Sequence, residues 1–206
     1  MKLCGLTGGV GMGKSTTAGF LREHGAQIVD TDELARQLVQ PGLPALAEIQ
    51  KVFGKQVISS AGELRRDELA KIVFADPAAR KQLEAILHPR IREQWLSQIE
   101  AWRAAPKRSD GGRGEDRRLA VVVIPLLFET GAEAHFDKIT CVACSAASQH
   151  ERLLARGWTP EQIRQRNAAQ MPVEQKIVRA DFVVWTEGTL AAHVQQIERI
   201  LARLNR

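Results

Sequence analysis

The run Gly8-Gly9-Val10-Gly11-Met12-Gly13-Lys14-Ser15 follows a short apolar stretch, Lys2 to Thr7, and opens a helical pattern from about Lys14 to His24. It fits G-x-x-x-x-G-K-[ST] where that motif has physical meaning, after a strand and at the start of a helix. Backbone N–H groups of such a loop and of the helix N-terminus converge on anionic oxygens, and glycine lets the backbone wrap them. In that geometry Lys14 bridges the β and γ phosphates of a nucleoside triphosphate and Ser15 binds Mg²⁺. A glycine-rich turn without a ligand leaves these residue types unexplained.

A second apolar run, Ala26 to Asp30, follows the helix. The chain thus opens as a β-α-β unit, which demands a parallel sheet with a right-handed crossover. Leu119 to Ile124, Lys138 to Ala143 and Asp181 to Trp185 read as further strands, so the expectation is an α/β fold on a five-stranded parallel sheet. From Leu34 to about Arg103 the pattern is helical, with Leu83, Leu87, Ile91 and Trp95 at helical spacing, which suggests a helical substrate-binding subdomain. Pro89, after His88, is expected to kink or restart that helix, because proline lacks a donor and disfavours helical geometry before it. A final stripe, Leu190, Val194, Ile197, Leu201 and Leu204, reads as packing against the sheet. The expected organisation is one domain: a core of about 1–32, 119–145 and 180–206, a helical subdomain of about 33–104, and a lid of about 147–178.

The 206 residues fit one domain, and 44% hydrophobic with 26% charged residues excludes disordered, collagenous and disulfide-rich classes. A net charge of +5 suits a solvated basic face, a nucleic-acid partner or a polyphosphorylated substrate. Much of it sits in Lys107, Arg108, Arg113, Arg117 and Arg118, interleaved with Ser109, Asp110, Gly111 and Gly112, a loop composition rather than a nucleic-acid patch. The three cysteines, Cys4, Cys141 and Cys144, imply reduced thiols and no disulfide framework. Cys141 and Cys144 lie three apart in a strand and point to opposite faces, which disfavours a shared metal. The apolar stretch before Lys14 is short and glycine-broken, unlike a signal peptide, and no run reaches membrane-spanning length, so a cytoplasmic location is expected. Nothing in the sequence sets the oligomeric state.

Asp30-Thr31-Asp32 ends the second strand. Ligands of open α/β sheets bind outside the carboxyl ends of strands, which turns both acids towards the phosphate loop. Two readings stay open: helix capping by Asp30 with Glu33 three residues on, or Asp30 holding Mg²⁺ through water while Asp32 accepts a proton from an acceptor hydroxyl. Val121-Val122-Val123-Ile124 ends in Pro125 where a motor or GTPase carries a Mg²⁺-binding acid, which points to a small-molecule kinase. Glu129 beyond it reads equally as a substrate contact or a loop acid. Arg152 and Arg156, four apart, share a helix face that suits either a phosphate clamp or plain solvation.

Together these stretches resemble the dephospho-CoA kinase family across nearly the whole chain. The likeness runs through Leu6-Thr7-Gly8-Gly9, Val29-Asp30-Thr31-Asp32, Ala35-Arg36, Pro41-Gly42, Leu64 to Leu69 with Arg66, Leu87-His88-Pro89, Pro125-Leu126-Leu127-Phe128-Glu129, Arg152, Arg156 and Ala169-Gln170. It implies a P-loop kinase core with a helical CoA-binding subdomain and an arginine-bearing lid, transferring a phosphoryl group from ATP to the ribose 3′-hydroxyl of dephospho-CoA. It implies Asp32 as general base, with Lys14 and Arg152 stabilising transferring charge. Gly8, Gly11, Met12, Gly13, Lys14, Ser15, Thr16 and Arg156 become the ATP contacts, and Ser15 and Asp30 the Mg²⁺ ligands. Asp32, Arg66, His88, Pro125, Leu126 and Glu129 fall near the acceptor, and no nucleic-acid or membrane partner is implied. Thr31, Ala143, Gly157 and the extended loop 106–117 depart from the family's pattern.

Overall fold

The computed structural model describes residues 1–106 and 118–204. The basic loop singled out above therefore lies, except for Pro106 and Arg118, outside the described residues. The chain divides into two compact units, Met1–Val29 with Ala105–Arg206, and Asp30–Ala104.

The first unit is built on parallel strands. β1 (Lys2–Gly8) leads through the glycine loop into α1 (Lys14–Glu23) and then β2 (Gln27–Asp30). After the second unit the chain returns as β3 (Leu119–Val123) and β4 (Lys138–Ala143). The strand order is β2-β3-β1-β4 with the last strand, β5 (Phe182–Trp185), at the far edge. In the parallel registers Leu6 of β1 stands between Val123 and Thr140. β3 is buried at every position and β4 at all but Lys138, as expected of strands covered on both faces. Leu6, Val121, Val142 and Val184 pack with Leu21 of α1 and with Ile197 and Leu204 of the final helix, α9 (Leu190–Leu204). The stripe on α9 is rotated from the expected one: Leu190 is 67% exposed and His193 takes the first buried position. Gln196 of α9 closes the exposed edge, its amide accepting from the Trp185 N–H at 2.8 Å and donating to the Trp185 carbonyl at 2.9 Å. That pairing blocks strand addition at a residue that would otherwise offer both groups to another chain.

The second unit is helical: α2 (Thr31–Leu38), α3 (Pro44–Phe53), α4 (Arg66–Ala75) and α5 (Pro77–Ala104). Its core gathers Val39, Leu46, Ile49, Phe53, Val57, Leu69, Val73 and Ile86. Of the expected kink or restart, the restart does not occur: α5 is one helix of 28 residues with Pro89 inside it. Pro89 deprives only the Ala85 carbonyl of its i+4 donor, and both residues are exposed, so water can serve it. One residue on, the Arg90 guanidinium reaches back to the Ile86 carbonyl at 2.5 Å and to Glu48 of α3 at 2.7 Å. Packing of Ile86, Leu83 and Leu87 into the helical core outweighs the local penalty.

Candidate active site

The phosphate loop leaves β1 at Gly8, where φ is 143° and a Cβ would lie 2.1 Å from the Val142 carbonyl oxygen. Only glycine lets the chain turn that close to β4. At Gly11, φ 74°, a Cβ would meet the Leu153 side chain at 2.8 Å. The N-cap of α1 is Gly13, which brings no side-chain oxygen to the first-turn amides, so that helix end presents backbone N–H groups and a partial positive charge. Lys14 lies across the loop, its Nζ donating to the carbonyls of Gly8 and Gly9 at 2.9 Å each. Ser15 and Thr16 are exposed on the first turn of α1. Met12 is different: its side chain is buried and its carbonyl accepts from Thr186, so its share in any phosphate contact is through the backbone.

Three residues that carry no local signal fix this loop from behind. α6 (Ala146–Ala155) buries Gln149, whose Nε2 donates to the Val10 carbonyl at 2.8 Å and to Asn167 of α7 (Pro160–Ala168) at 3.1 Å. Thr186, after β5, donates to the Met12 carbonyl at 3.0 Å. His193 sits 2.9 Å from Thr17, whose hydroxyl donates to the Gly13 carbonyl at 3.1 Å. The Thr17 hydroxyl thus bridges the Gly13 carbonyl and the His193 ring. Burial, reinforced by the Arg152 charge, holds His193 below its ordinary value, which favours the neutral ring.

Arg152 projects from α6 and is gripped by Thr186, Nη1 to the hydroxyl at 2.8 Å and Nη2 to the carbonyl at 2.6 Å. The same Thr186 hydroxyl reaches Met12, so the guanidinium and the phosphate loop share one support. Arg156 lies four residues on, at the end of the same helix. It is the C-cap of α6, with ψ 6°, and is exposed.

The N-terminus of α6 is capped by the Ser145 hydroxyl, which accepts from the Ser148 N–H at 3.2 Å, and is braced by Glu187. Its carboxylate accepts from the Ser145 N–H at 2.9 Å, the Ser148 hydroxyl at 2.8 Å and the Trp185 indole at 3.1 Å. These bonds, Ser145 first and then Ser148, lower it from 4.5 to about 2. A carboxylate held below its unfolded value stabilises the fold above that value and loses the contribution as pH falls through the folded one. Denaturant titrations of the wild type and Glu187→Gln should therefore show a stability gap above pH 4.5 that closes as pH falls towards about 2. A gap independent of pH over that window would exclude the ionised carboxylate as its source.

Beyond β3, the Ile124 N–H donates to the Leu6 carbonyl at 2.9 Å and the chain turns through Pro125, Leu126, Leu127, Phe128 and Glu129. The Pro125 carbonyl accepts from Thr7 at 3.3 Å and from Lys176 at 2.7 Å. Lys176 belongs to α8 (Val173–Arg179) and also pairs with Glu129 at 2.8 Å. This turn lies beside the exit of β1, at the carboxyl edge of the sheet. The cysteines are buried, and desolvation pushes the Cys4 and Cys141 thiols up to about 11.

In the helical unit, Asp30 is the N-cap of α2, its Oδ1 accepting from the Asp32 N–H at 2.8 Å. The cap thus closes on Asp32 rather than on Glu33. Asp32 is exposed in the first helical turn, and Arg66 begins α4, also exposed. His88 lines a groove of about 700 Å³ on α5 with Arg92, Glu93, Ser97 and Glu100. Burial lowers its pKa, with Glu84 opposing and Arg92 adding to the shift.

A parallel sheet that feeds a glycine loop, with a lysine across the loop and a helix behind it that no side chain caps, defines a P-loop nucleotide-binding protein. The chain belongs to the dephospho-CoA kinase family, whose profile matches residues 2–192. The dephospho-CoA kinase of Anaeromyxobacter dehalogenans is 43% identical over 205 residues, covering 99% of this chain and 92% of that protein. That of Syntrophotalea carbinolica is 40% identical with the same coverage. Among solved structures, a Thermus thermophilus protein superposes with a TM-score of 0.79 at 32% identity, covering 98% of this chain and 97% of the other. Dephospho-CoA kinase from Campylobacter jejuni shares the fold, with a TM-score of 0.69 at 23% identity over 100% and 98% of the two chains.

Proposed function

We propose that this chain transfers the γ-phosphoryl group of ATP to the 3′-hydroxyl of the dephospho-CoA ribose, giving CoA and ADP. What carries the reading is a phosphate loop with Lys14 across it in a chain that matches this family over residues 2–192. The loop from Gly8 to Thr16 binds the triphosphate through its amides, with Arg156 as a further contact. Lys14 and Arg152 offset the charge that builds on the equatorial oxygens during transfer. Asp32 accepts the proton of the attacking hydroxyl. Arg66 and His88, with Pro125, Leu126 and Glu129, orient the acceptor. Ser15 and Asp30 offer the hard oxygen donors that Mg²⁺ prefers, and the ion when bound supplies positive charge to the phosphate oxygens. In this reading α6 to α8 form the arginine-bearing lid, and the helical unit binds the acceptor. No described helix is long and apolar enough to cross a membrane. We place the reaction in the cytoplasm, with no nucleic-acid partner.

A coupled ADP-release assay over dephospho-CoA, AMP, CMP, adenosine and gluconate tests the assignment. Turnover should appear with dephospho-CoA, and turnover confined to another acceptor would remove it. Arg152→Ala should lower turnover by about 10² while shifting ground-state ATP affinity much less, because the guanidinium is matched to charge that peaks in transfer. Single-turnover kinetics and equilibrium ATP titration separate the two quantities. Equal losses in both would make Arg152 a ground-state binding residue.

A further inference from the structure

We propose that Lys176 is a positioning residue for this reaction, holding the turn after β3 in the shape that receives the acceptor. The proposal rests on the function assigned above. Lys176 lies on the short helix α8, and its side chain is fully buried. A buried ammonium is costly unless it is paired and hydrogen-bonded. Both conditions are met by one segment: Nζ donates to the Pro125 carbonyl at 2.7 Å and to Glu129 Oε1 at 2.8 Å. Pro125 has no N–H, so its carbonyl is the polar handle the backbone offers at that position.

The neighbouring contacts follow the same line. Glu129 Oε1 also accepts from the Met171 N–H at 2.7 Å, just before α8. One turn beyond Lys176, Arg179 lies 4.3 Å over the Phe128 ring and pairs with Glu133. The stretch 171–179 is thus stapled to 125–133 at several points, with the buried lysine at the centre. Thr7, at the end of β1 and next to the phosphate loop, shares the Pro125 carbonyl at 3.3 Å. That long bond is the turn's link to the loop, which Gln149, Thr186 and His193 fix independently, so a displaced turn would shift acceptor contacts while leaving the glycine loop in place. Misplacement of a bound group by about 1 Å can cost up to about 10²-fold in rate.

Lys176→Met, Glu129→Gln and the double variant separate positioning from bulk stability. Lys176→Met strands a carboxylate and should lower the melting temperature by about 10 °C. The double variant removes the stranded charge and should melt near the wild type. Glu129→Gln alone keeps an amide oxygen for Lys176 and an intact bond to Pro125. The expected result is an acceptor KM raised about tenfold or more in the double variant relative to Glu129→Gln, with the ATP KM unchanged. Amide hydrogen exchange over 125–133, measured without substrates, should quicken in the double variant and not in the phosphate loop. An acceptor KM equal to that of Glu129→Gln, a matching rise in the ATP KM, or unaltered exchange over 125–133 overturns the proposal. A wild type inert towards dephospho-CoA would instead refute the assigned function, and the exchange experiment would still decide whether Lys176 holds the turn.

Discussion

Replacing Lys14 with alanine is expected to lower turnover by about 10³-fold or more while leaving the protein folded. Loss of one preorganised neutral donor at a transition state already costs about 10² to 10³ in turnover, and Lys14 supplies a full charge. Its Nζ lies 2.9 Å from two loop carbonyls, Gly8 and Gly9. Phosphate oxygens form stronger, charge-assisted bonds than neutral carbonyls, so the ammonium is placed to move onto a bound triphosphate with little side-chain rearrangement. The structural cost of the alanine is two hydrogen bonds of about 1 kcal/mol each. At this size that is a fall in melting temperature of about 4–8 °C. Rapid-quench measurement of a single turnover, beside a thermal melt, checks both halves. A folded Lys14→Ala enzyme with wild-type turnover would remove the phosphate loop from the mechanism.

Asp32→Asn should lower turnover by roughly 10² to 10⁴, the range for a positioned general base, with melting behaviour nearly unchanged. From sequence, capping and catalysis competed for this pair of acids. The geometry separates their structural duties, since the cap is Asp30, accepting from the Asp32 N–H at 2.8 Å. Asparagine at position 32 keeps that N–H and the side-chain volume. It forfeits a negative charge at a helix N-terminus, worth about 0.3–1 kcal/mol at an exposed site. It also forfeits the capacity to take a proton, and there the effect on turnover arises. Acceptor affinity, titrated without ATP, should change much less than turnover. A variant that binds both substrates and keeps most of its turnover would shift the test to Asp30.

The strands and the glycine loop could be read from the chain because their causes are local. Apolar runs of strand length, such as Leu119 to Val123, are dictated by burial on both faces. The order strand, Gly8 to Gly13, Lys14 and helix is a property of adjacent residues, and so is the β-α-β unit that demands a parallel sheet. What joins distant segments carried no such mark. Arg152 finds Thr186 across 34 residues, Lys176 finds Pro125 across 51, and His193 finds Thr17 across 176. None of those partners can be chosen until the sheet has brought its carboxyl edge and the covering helices together. Pro89 shows the same limit from the other side, a local helix breaker overruled by the packing of Ile86 and its neighbours. The sequence by itself determined the parallel sheet and the phosphate loop, because backbone geometry and hydrophobic period act between neighbours. Only the tertiary structure decided which charges are buried and what holds them, because an ammonium such as that of Lys176 can leave water only where the fold supplies acceptors from elsewhere in the chain.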